Sequence, residues 1–338
     1  MKAFFALLLA VFSGIFNFFT TDGSFTQLIE KGDITGYSEN VQSYKELPVL
    51  YTDNDGKFTV LQFSDTHFTT GLSWNDVSVL GKMEEMTMKY TPDLVVISGD
   101  MLDGGERGAY NKKYSLDKVI GLFESLEQYW AYIPGNNDGL NYGTSADVTA
   151  YLSQSEFCLC ADKKDISGGA QYTIDISDGE KTVHSFVFLD TMDYDDEDEE
   201  HIYGYVHEDQ VEWCRTAVNE KINFNKDIML SVFIHENTPN FAKAALEGEA
   251  YKDGYSTIDE VKEEYNIPKN APLDEIFAES GRVGLVSMGH VHPKDGKCSF
   301  YNGTYYHITP QTKVSSTLIT IDTKADNVRD MYNFEQVN

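Results

Sequence analysis

The sequence is poor in proline and in basic residues, and each shortage excludes a class of protein. It has eight prolines in 338 residues and no Pro-rich or Gly/Ser-rich stretch that could serve as a linker. It also has no internal repeat, so we predict one domain rather than an array of repeats. Lysine and arginine together number 26, against 55 acidic residues, which gives a net charge of −29. Such a surface repels polyanions, and no nucleic-acid partner is expected.

Cysteine is scarce as well, with four residues, Cys158, Cys160, Cys214 and Cys298. An even number permits two disulfides in an oxidising compartment, with a pairing that the sequence leaves open. Cys158 and Cys160 are too close in the chain for an unstrained bridge to each other, so each would need a distant partner. Four free or partly buried thiols are the alternative.

A long uncharged stretch lies at the N-terminus. Lys2 is followed by residues 3–20, which carry no charge and whose apolar core is interrupted by two small residues. This pattern predicts a signal peptide at residues 1–20, export to a secreted or lysosome/vacuole-like compartment, and no stable membrane insertion after cleavage. Because the apolar stretch resumes at Ile15, an uncleaved anchor is the alternative. Residues 21–57 are predicted to form an N-terminal arm, which is irregular or adds a strand.

One sequon for N-glycosylation is present, Asn302-Gly303-Thr304. Its Asn-Gly pair is also typical of a two-residue hairpin turn, and both interpretations place it on the surface. An exported protein with this sequon is expected to be a glycoprotein.

From about residue 58, short apolar runs alternate with amphipathic stretches. The apolar runs are rich in β-branched and aromatic residues and predict strands at Phe58–Ser64, Leu94–Ser98, Trp130–Pro134, Tyr172–Ile176, His184–Leu189, Ile228–Ile234, Val283–Met288, Tyr305–Ile308 and Thr317–Ile321. Helical spacing of apolar residues predicts helices at Val77–Lys89, Leu116–Glu127, Glu208–Asn219 and Pro272–Ala278. The alternation predicts an α/β architecture, and the closely spaced final strands predict hairpins near the end of the chain.

Five of the predicted strands end in residue types that bind metal ions. In chain order these ends are Asp65-Thr66-His67, Gly99-Asp100, Gly135-Asn136-Asn137-Asp138, His235 and Gly289-His290-Val291-His292. A single aspartate after a strand is typical of a turn, and a single histidine such as His184 or His307 is typical of a core or surface residue. Turns have no reason to require histidine at four of these places. Ligand sites in α/β sheets lie beyond the carboxyl ends of strands, so we interpret the ordered set as a metal centre.

The order D-x-H, G-D, G-N-x-D, H and G-H-x-H resembles the motifs of the calcineurin-like metallophosphoesterase superfamily. Asp65, Asp100 and Asn136 follow one another at intervals of 35 and 36 residues, each with room for a helical crossover. The resemblance extends from residue 58 to about residue 322. It implies a four-layer α/β/β/α sandwich, in which two mixed β-sheets flanked by helices form one domain at residues 58–338.

The resemblance also implies a dinuclear metal centre. The implied ligands are Asp65, His67 and His292 for one ion, Asn136, His235 and His290 for the other, and Asp100 as the bridge. Carboxylates together with imidazoles suit Zn, Mn or Fe rather than Ca or Mg. Two ions about 3.5–4 Å apart can polarise a phosphoryl group and deprotonate a bridging water. The expected activity is hydrolysis of a small phosphomonoester or phosphodiester, with glycines 99, 135 and 289 letting the backbone approach the ions closely.

Finer features resemble the acid-phosphatase-like branch of the superfamily. They are Leu189-Asp190-Thr191, Tyr205, Gln210-Val211-Glu212-Trp213, and Pro239 four residues after His235. Purple members carry a tyrosine ligand three residues after the bridging aspartate and a glycine in the first motif. Asp103 and His67 occupy those positions, so a non-purple protein without the tyrosinate colour is expected.

Asn137 departs from the pattern, because the resemblance implies a catalytic histidine there. A carboxamide can donate a hydrogen bond to a phosphoryl oxygen but cannot deliver a proton. Metal binding should survive this change, whereas turnover of substrates with poor leaving groups should suffer. The alternative function is therefore a metal-binding pseudo-phosphatase that acts as a binding or regulatory protein.

The segment Asp193–His201 is strongly acidic. It is predicted to be a solvated loop, and the alternative places it at the mouth of the site, where it would favour a cationic group or exclude polyanions. His201 and His207 are candidate replacement acids for the histidine that Asn137 replaces.

Overall fold

The computed structural model describes residues 34–40, 45–69, 72–105, 112–140, 143–163, 165–193, 203–251 and 268–338. The predicted signal peptide at residues 1–20 lies outside these ranges. So does the acidic loop after Asp193, including His201. Within the described ranges, no helix is both long enough and apolar enough to cross a membrane.

The larger of two β-sheets has eight strands. In chain order they are β1 (Leu50–Tyr51), β5 (Gln171–Ser177), β6 (Thr182–Leu189), β7 (Met229–Phe233), β8 (Glu249–Ala250), β9 (Val283–Met288), β10 (Lys297–Tyr301) and β11 (Thr304–Ile308). Their order across the sheet is β1-β5-β6-β7-β9-β11-β10-β8. The strands from β6 through β7 and β9 to β11 are parallel, and antiparallel strands lie on both sides of them. The sheet is therefore mixed.

The smaller sheet has five strands in the order β13-β12-β2-β3-β4. They are β2 (Lys57–Phe63), β3 (Leu94–Ser98), β4 (Trp130–Ile133), β12 (Ser316–Asp322) and β13 (Tyr332–Val337). Strands β2, β3 and β4 are parallel, whereas β12 and β13 are antiparallel to their neighbours. Strand β3 (LVVIS) is buried along its whole length, as expected for a central strand covered on both faces.

Helices cover the outer faces of both sheets. In chain order they are α1 (Tyr37–Asn40), α2 (Trp74–Tyr90), α3 (Lys112–Ser125), α4 (Ser145–Leu152), α5 (Glu208–Phe224), α6 (Pro239–Glu247), α7 (Ala271–Ser280) and α8 (Val328–Met331). Helix α2 packs on the smaller sheet and against α3, while α5, α6 and α7 pack on the larger sheet. Helix α2 begins at Ser73, whose hydroxyl accepts the amide of Asp76 in a capping box.

Between the sheets lies an apolar layer rich in phenylalanine. Phe58 on β2 contacts Phe186 on β6, with 5.7 Å between their ring centroids. Phe186 in turn packs against Phe233 on β7 at 5.6 Å, and Phe233 stacks on Phe188 at 5.2 Å. The predicted α/β/β/α arrangement of two mixed sheets flanked by helices is confirmed.

All nine predicted strands and all four predicted helices are present, with ends shifted by a few residues. The elements that were not predicted are strands β8, β10 and β13 and helices α1, α4, α6 and α8. The predicted hairpin turn at Asn302-Gly303 joins β10 to β11, and both turn residues have a positive φ. The final predicted strands do not form a hairpin with each other, because β11 and β12 belong to different sheets.

The described part of the N-terminal arm lies against the domain. Strand β1 pairs in parallel with β5 and so extends the larger sheet, which matches the added strand considered for this arm. Just before it, the backbone amide of Ser38 on α1 donates to Asp147 on α4.

The four cysteines are buried free thiols. The alternative without disulfides therefore describes this structure. Cys158 and Cys160 are neighbours, with 3.3 Å between their Sγ atoms.

Candidate metal centre

All seven predicted ligands lie at one edge of the sandwich, where parallel strands end. Asp65 and His67 follow β2, Asp100 follows β3 and Asn136 follows β4, all in the smaller sheet, whereas His235 follows β7 and His290 and His292 follow β9 in the larger sheet. The site is thus assembled from both sheets. Its geometry depends on how the sheets are held together.

One group of side chains has ligand atoms spaced as in a cation site. Asp65, His67, Asp100 and His292 each offer a ligand atom, and these atoms lie within 4.8 Å of one another. The Nε2 atoms of His67 and His292 are 3.0 Å apart, and Nε2 of His292 is 2.9 Å from Asp65 Oδ1. Two ligands bound at about 2.1 Å to one ion would stand roughly 3.0–3.4 Å apart, so these spacings fit a shared metal ion.

Asp100 lies between this group and the remaining predicted ligands. Its Oδ2 is 3.7 Å from Nε2 of His67, and its Oδ1 is 3.4 Å from Nε2 of His235. The imidazole of His290 packs edge-on against that of His235, with 5.2 Å between the ring centroids. Asn136 is buried after the end of β4 and follows Gly135, where a Cβ atom would lie 2.7 Å from Nε2 of His235. This arrangement is the one expected for a carboxylate that faces two ligand groups.

His235 is held in a defined orientation from behind. Its Nδ1 is 2.8 Å from the carbonyl oxygen of Ser98 and must donate to it, because a carbonyl can only accept. The opposite nitrogen, Nε2, therefore carries the lone pair in the neutral ring. It has no hydrogen-bond partner among the described residues. Metal-binding histidines are oriented in this way by a partner on their other nitrogen.

Five of the predicted ligands have left-handed backbone conformations, with φ of 52° at Asp65, 45° at His67, 48° at Asp100, 67° at His290 and 50° at His292. Residues other than glycine avoid this region, and such outliers concentrate at functional sites. The strain is local to the turns after β2, β3 and β9, which is where the ligands must change direction to converge.

Glycines provide the space for this convergence. Gly99 has a φ of +89°, and a Cβ atom there would lie 2.2 Å from Nδ1 of His235. At Gly289 a Cβ atom would lie 1.9 Å from Ser64 Oγ and 2.7 Å from Asp65 Oδ2. The backbone at these glycines thus closely approaches side chains of the candidate site, and its expected approach to metal ions stays a prediction.

Comparison with known proteins agrees with this geometry. A sequence model of the calcineurin-like phosphoesterase family matches residues 58–294, the segment that contains all seven candidate ligands. The chain belongs to this family. Members of the family bind two metal ions.

Two relatives illustrate the range of the family. The chain is 23% identical over 305 residues to a probable inactive purple acid phosphatase of Arabidopsis thaliana, an alignment that covers 77% of this chain and 71% of the plant protein. A dimetal phosphatase from Danio rerio has a similar fold, with a TM-score of 0.54 and 13% identity over 83% of this chain and 99% of the fish protein. The second similarity supports the fold of the phosphoesterase domain.

The side chains at the site fit the ions that this family binds. Carboxylates and imidazoles form the donor set, which suits Zn, Mn or Fe. His67 and His292 place two ring nitrogens 3.0 Å apart beside the carboxylate of Asp65, and a cation between them would satisfy all three. Nε2 of His235, which lies 3.4 Å from Asp100 Oδ1, is a further ligand atom.

Electrostatics within the site are dominated by the buried carboxylates. Burial opposes ionisation of Asp65 and Asp100, but hydrogen bonds and charges from nearby histidines, His292 and His235 foremost, lower both pKa values. Burial would also lower the pKa of His235, yet the Asp100 carboxylate raises it to about 9. For His290, burial is the largest influence and lowers the pKa to about 3. In the metal-free protein a proton on His235 therefore balances part of the carboxylate charge, and a metal ion bound there would have to displace it.

Asp138 stabilises the loop that carries Asn136. Its Oδ2 accepts the amide of Gly135 and its Oδ1 accepts the amide of Leu102, both at 2.8 Å. Burial and the charge of Asp100 raise its pKa to about 7. The last residue of the G-N-x-D motif thus joins the loop after β4 to the loop after β3.

Asn137, the predicted catalytic position, is directed at Asp100. Its backbone amide donates to Asp100 Oδ1 at 2.9 Å, and its carboxamide nitrogen donates to Asp100 Oδ2. A Cβ atom on Gly104 would lie 2.2 Å from Asn137 Oδ1, so the two loops touch at this point. The carboxamide of Asn137 was expected to donate to a phosphoryl oxygen. In this structure it donates to the carboxylate of Asp100, because that anion is the strongest acceptor within reach.

Two other positions singled out in the sequence lie away from the ligands. His207 is exposed at the start of α5, where Nδ1 is 3.2 Å from Ser167 Oγ and the ring neighbours Tyr205. No hydrogen bond, ion pair or ring contact between described residues joins it to a candidate ligand, so the structure gives no support to its role as a replacement acid. Asp103, at the place of the purple enzymes' tyrosine, accepts the amide of Gly105 and closes its own turn.

Two residues near the site were missed in the sequence. Glu236 is fully buried, and neither of its carboxyl oxygens has a hydrogen-bond partner among the described residues. Burial, together with the charges of Asp100, Asp190 and Asp193, raises its pKa well above the ordinary value. An acidic residue between a buried strand and a helix was a visible signal. Tyr203, whose ring packs edge-on against His290 at 4.5 Å, offered no such signal, because no strand, helix or motif was predicted at its place in the sequence.

Proposed function

We propose that this chain hydrolyses a phosphoric ester with the aid of two transition-metal ions. The observation that carries the proposal is the convergence of Asp65, His67, Asp100 and His292 within 4.8 Å, with His235 adjoining Asp100. In this reading the first ion is held by Asp65, His67 and His292. Asn136, His235 and His290 would hold the second, and the carboxylate of Asp100 would be shared between them. Two such ions would supply Lewis-acid stabilisation of the phosphoryl oxygens and would activate a water for in-line attack.

The protein's own residues prepare the site for a small phosphorylated substrate. Ser98 keeps Nε2 of His235 unprotonated once its proton is displaced. Asp138 holds the loop that presents Asn136. The net charge of the chain is −29, which opposes the binding of polyanions, so we propose a small phosphomonoester or phosphodiester as the substrate class.

Asn137 limits the reaction in this proposal. Its carboxamide donates to Asp100 and carries no proton that it could release at ordinary pH. Hydrolysis should therefore be fastest for esters whose leaving group needs no protonation. The same observation favours a second candidate function, a metal-binding pseudo-phosphatase that acts through binding. A related plant protein bears the name of a probable inactive purple acid phosphatase, which is consistent with this second candidate.

Within the family we place the chain in a non-purple, acid-phosphatase-like lineage. His235 followed by Pro239, and Asp190 at the end of β6, support this placement. Asp103 stands where a tyrosine ligand would be needed for the purple colour, and it is engaged in its own turn. Protein reconstituted with Fe should accordingly show no tyrosinate absorption band in the visible range.

Export of the mature protein is part of the proposal. The uncharged segment at residues 3–20 supports a signal peptide, and the sequon at Asn302 stands on an exposed hairpin turn, where a glycan could be attached. N-terminal sequencing of protein from its own cell should find a start between about residues 14 and 24. An intact Met1 on cytosolic protein would contradict export.

The decisive experiment measures metal content and turnover on the same sample. Full-length protein purified without chelator should contain up to two transition-metal ions per chain and should hydrolyse a nitrophenyl phosphate. Bound metal without turnover of any ester would select the pseudo-phosphatase. Failure to bind any transition metal would refute both candidates.

A further inference from the structure

Five fully buried polar side chains lie between the two sheets, just below the metal centre. They are Gln62 on β2, Ser98 on β3, Ser287 on β9, His307 on β11 and Thr317 on β12. The first three stand two or three residues before the candidate ligands Asp65, Asp100 and His290 on their own strands. Polar groups in an apolar layer are costly unless they are hydrogen-bonded, so their partners must be accounted for.

Hydrogen bonds link these side chains into a series, in which each side chain donates a hydrogen bond to the next. The hydroxyl of Ser287 in the larger sheet donates to Gln62 Oε1 in the smaller sheet at 2.6 Å. Gln62 Nε2 then donates to Ser98 Oγ at 2.8 Å, and the Ser98 hydroxyl donates to the carbonyl of Phe63. The first of these bonds crosses between the sheets.

The chain continues through His307. Its Nδ1 is 2.8 Å from Ser287 Oγ, and its Nε2 is 3.2 Å from Thr317 Oγ1. Because the Ser287 proton is already given to Gln62, Nδ1 must donate, and Nε2 must accept from Thr317. Burial lowers the pKa of His307 to about 3, so the ring is neutral, as this pattern requires. The contact between His307 and Thr317 is a second bond between the sheets.

Ser98, the last side chain in this series of hydrogen bonds, belongs to a residue that contacts a candidate ligand. Ser98, which accepts from Gln62 through its hydroxyl, also accepts the Nδ1 proton of His235 through its carbonyl. The amide of Ile234, next to His235, donates to the carbonyl of Ser287 at 3.1 Å. A displacement of Ser287 or Ser98 would therefore shift the position of His235.

We propose that His307 is a positioning residue for the metal centre, which fixes the spacing of the two sheets through Thr317 and Ser287 and so sets the distances between ligands contributed by different sheets. Apolar packing between sheets tolerates small sliding movements, whereas a directional chain of buried hydrogen bonds does not. This inference rests on the proposed metal ligands.

A matched control exists at the other end of the sheet. His184 is also buried between strands, its Nε2 is 2.9 Å from Ser231 Oγ, and burial lowers its pKa to about 3. It pairs with Met229 at the beginning of β7, whereas the ligands follow the ends of the strands. His184→Leu and His307→Leu therefore remove the same kind of group, near the site in one case and far from it in the other.

The test titrates Zn²⁺ alone into metal-stripped full-length variants against a competing chelator, with urea unfolding measured in parallel. We expect both variants to lose stability but only His307→Leu to weaken Zn²⁺ binding, by about 10-fold or more, as is typical for residues that support metal ligands. Equal weakening in the two variants, or unchanged binding in His307→Leu, would overturn the inference while leaving the proposed function intact. An unsubstituted chain that binds no Zn²⁺ would overturn both.

Substitutions at Thr317 decide the matter if His307→Leu does not fold. Thr317→Val keeps the volume and removes the hydroxyl, whereas Thr317→Ser keeps the hydroxyl and removes a methyl group. We expect weakened Zn²⁺ binding in Thr317→Val and near-normal binding in Thr317→Ser. The reverse order would show that only packing matters at this position, and the inference would fail.

Discussion

Replacement of Asn137 by histidine tests whether this member of the phosphoesterase family lacks a general acid. The backbone amide of Asn137 donates to Asp100 Oδ1, and this bond survives any side chain. The carboxamide bond to Oδ2 would be lost, and an imidazole, being larger, would turn toward the open side because Gly104 closes off the other. The side chain is half-buried, so the ring can reach a bound ester from there.

The expected gain depends on the leaving group. General acid catalysis contributes roughly 10²- to 10⁴-fold, which corresponds to about 3–5 kcal/mol of barrier. An alkyl phosphate, whose alkoxide is strongly basic, should gain most of this factor in Asn137→His. A nitrophenyl phosphate, whose leaving group needs no proton, should gain less than about threefold, since protonation contributes little to its transition state.

The assay measures kcat/KM for a series of alkyl, phenyl and nitrophenyl phosphates. The unsubstituted chain should show a steep fall of log kcat/KM with leaving-group pKa, and Asn137→His should show a shallower one. Metal content is measured on every sample, so that a change in occupancy is not mistaken for acid catalysis. Rapid hydrolysis of alkyl esters by the unsubstituted chain, unchanged in Asn137→His, would refute the reasoning and direct attention to His201 and His207.

Three further predictions concern metal binding and stability. Asp100→Asn should release both ions more readily than any other single ligand substitution, as measured by elemental analysis, and retention of two ions would contradict a bridging role. Burial and the charge of Asp193 raise the pKa of Asp190 from 3.8 to about 7, so its contribution to the stability of metal-stripped protein is complete below about pH 4 and is lost as pH rises through 7. At about 1.4 kcal/mol per pKa unit the loss approaches roughly 4 kcal/mol. Urea midpoints at pH 5 and pH 8 should differ less in Asp190→Asn, and an unchanged difference would count against this explanation. Gly289→Ala should lower the free energy of unfolding by about 1–3 kcal/mol, because its Cβ would crowd Ser64 and Asp65. Gly121→Ala, in open space on α3, should raise that free energy by about 0.5–1 kcal/mol. Equal changes in urea unfolding would refute the crowding argument.

Much of the fold followed from local patterns. Strand β3 (Leu94–Ser98) is a run of apolar residues bounded by polar ones, and helix α5 (Glu208–Phe224) has apolar residues at helical spacing. Both were predicted because periodicity is a local property of the chain, the strand with its exact bounds and the helix with an end five residues short of Phe224. Strand β10 (Lys297–Tyr301) was missed, since its short mixed sequence gives a weak signal and forms a strand by pairing with β11 and β8.

The sequence by itself determined the chemistry of the candidate site. The order of Asp, His, Asn and Gly after successive strands predicted a metal centre, because parallel strands of an α/β fold bring their carboxyl ends to one edge. The resemblance to the family then implied the seven candidate ligands. It also identified Asn137 as the departure from the family, since a residue type can be read directly from its motif.

Only the tertiary structure decided how these side chains are held. Asn137 donates to Asp100, and Ser98 orients His235 across the gap between two sheets. Gln62 and His307 belong to one chain of hydrogen bonds although 245 residues separate them in the sequence. Partnerships of this kind depend on which faces of the sheets meet and in what register. No local pattern in the sequence records that information, because it arises only when the strands have packed.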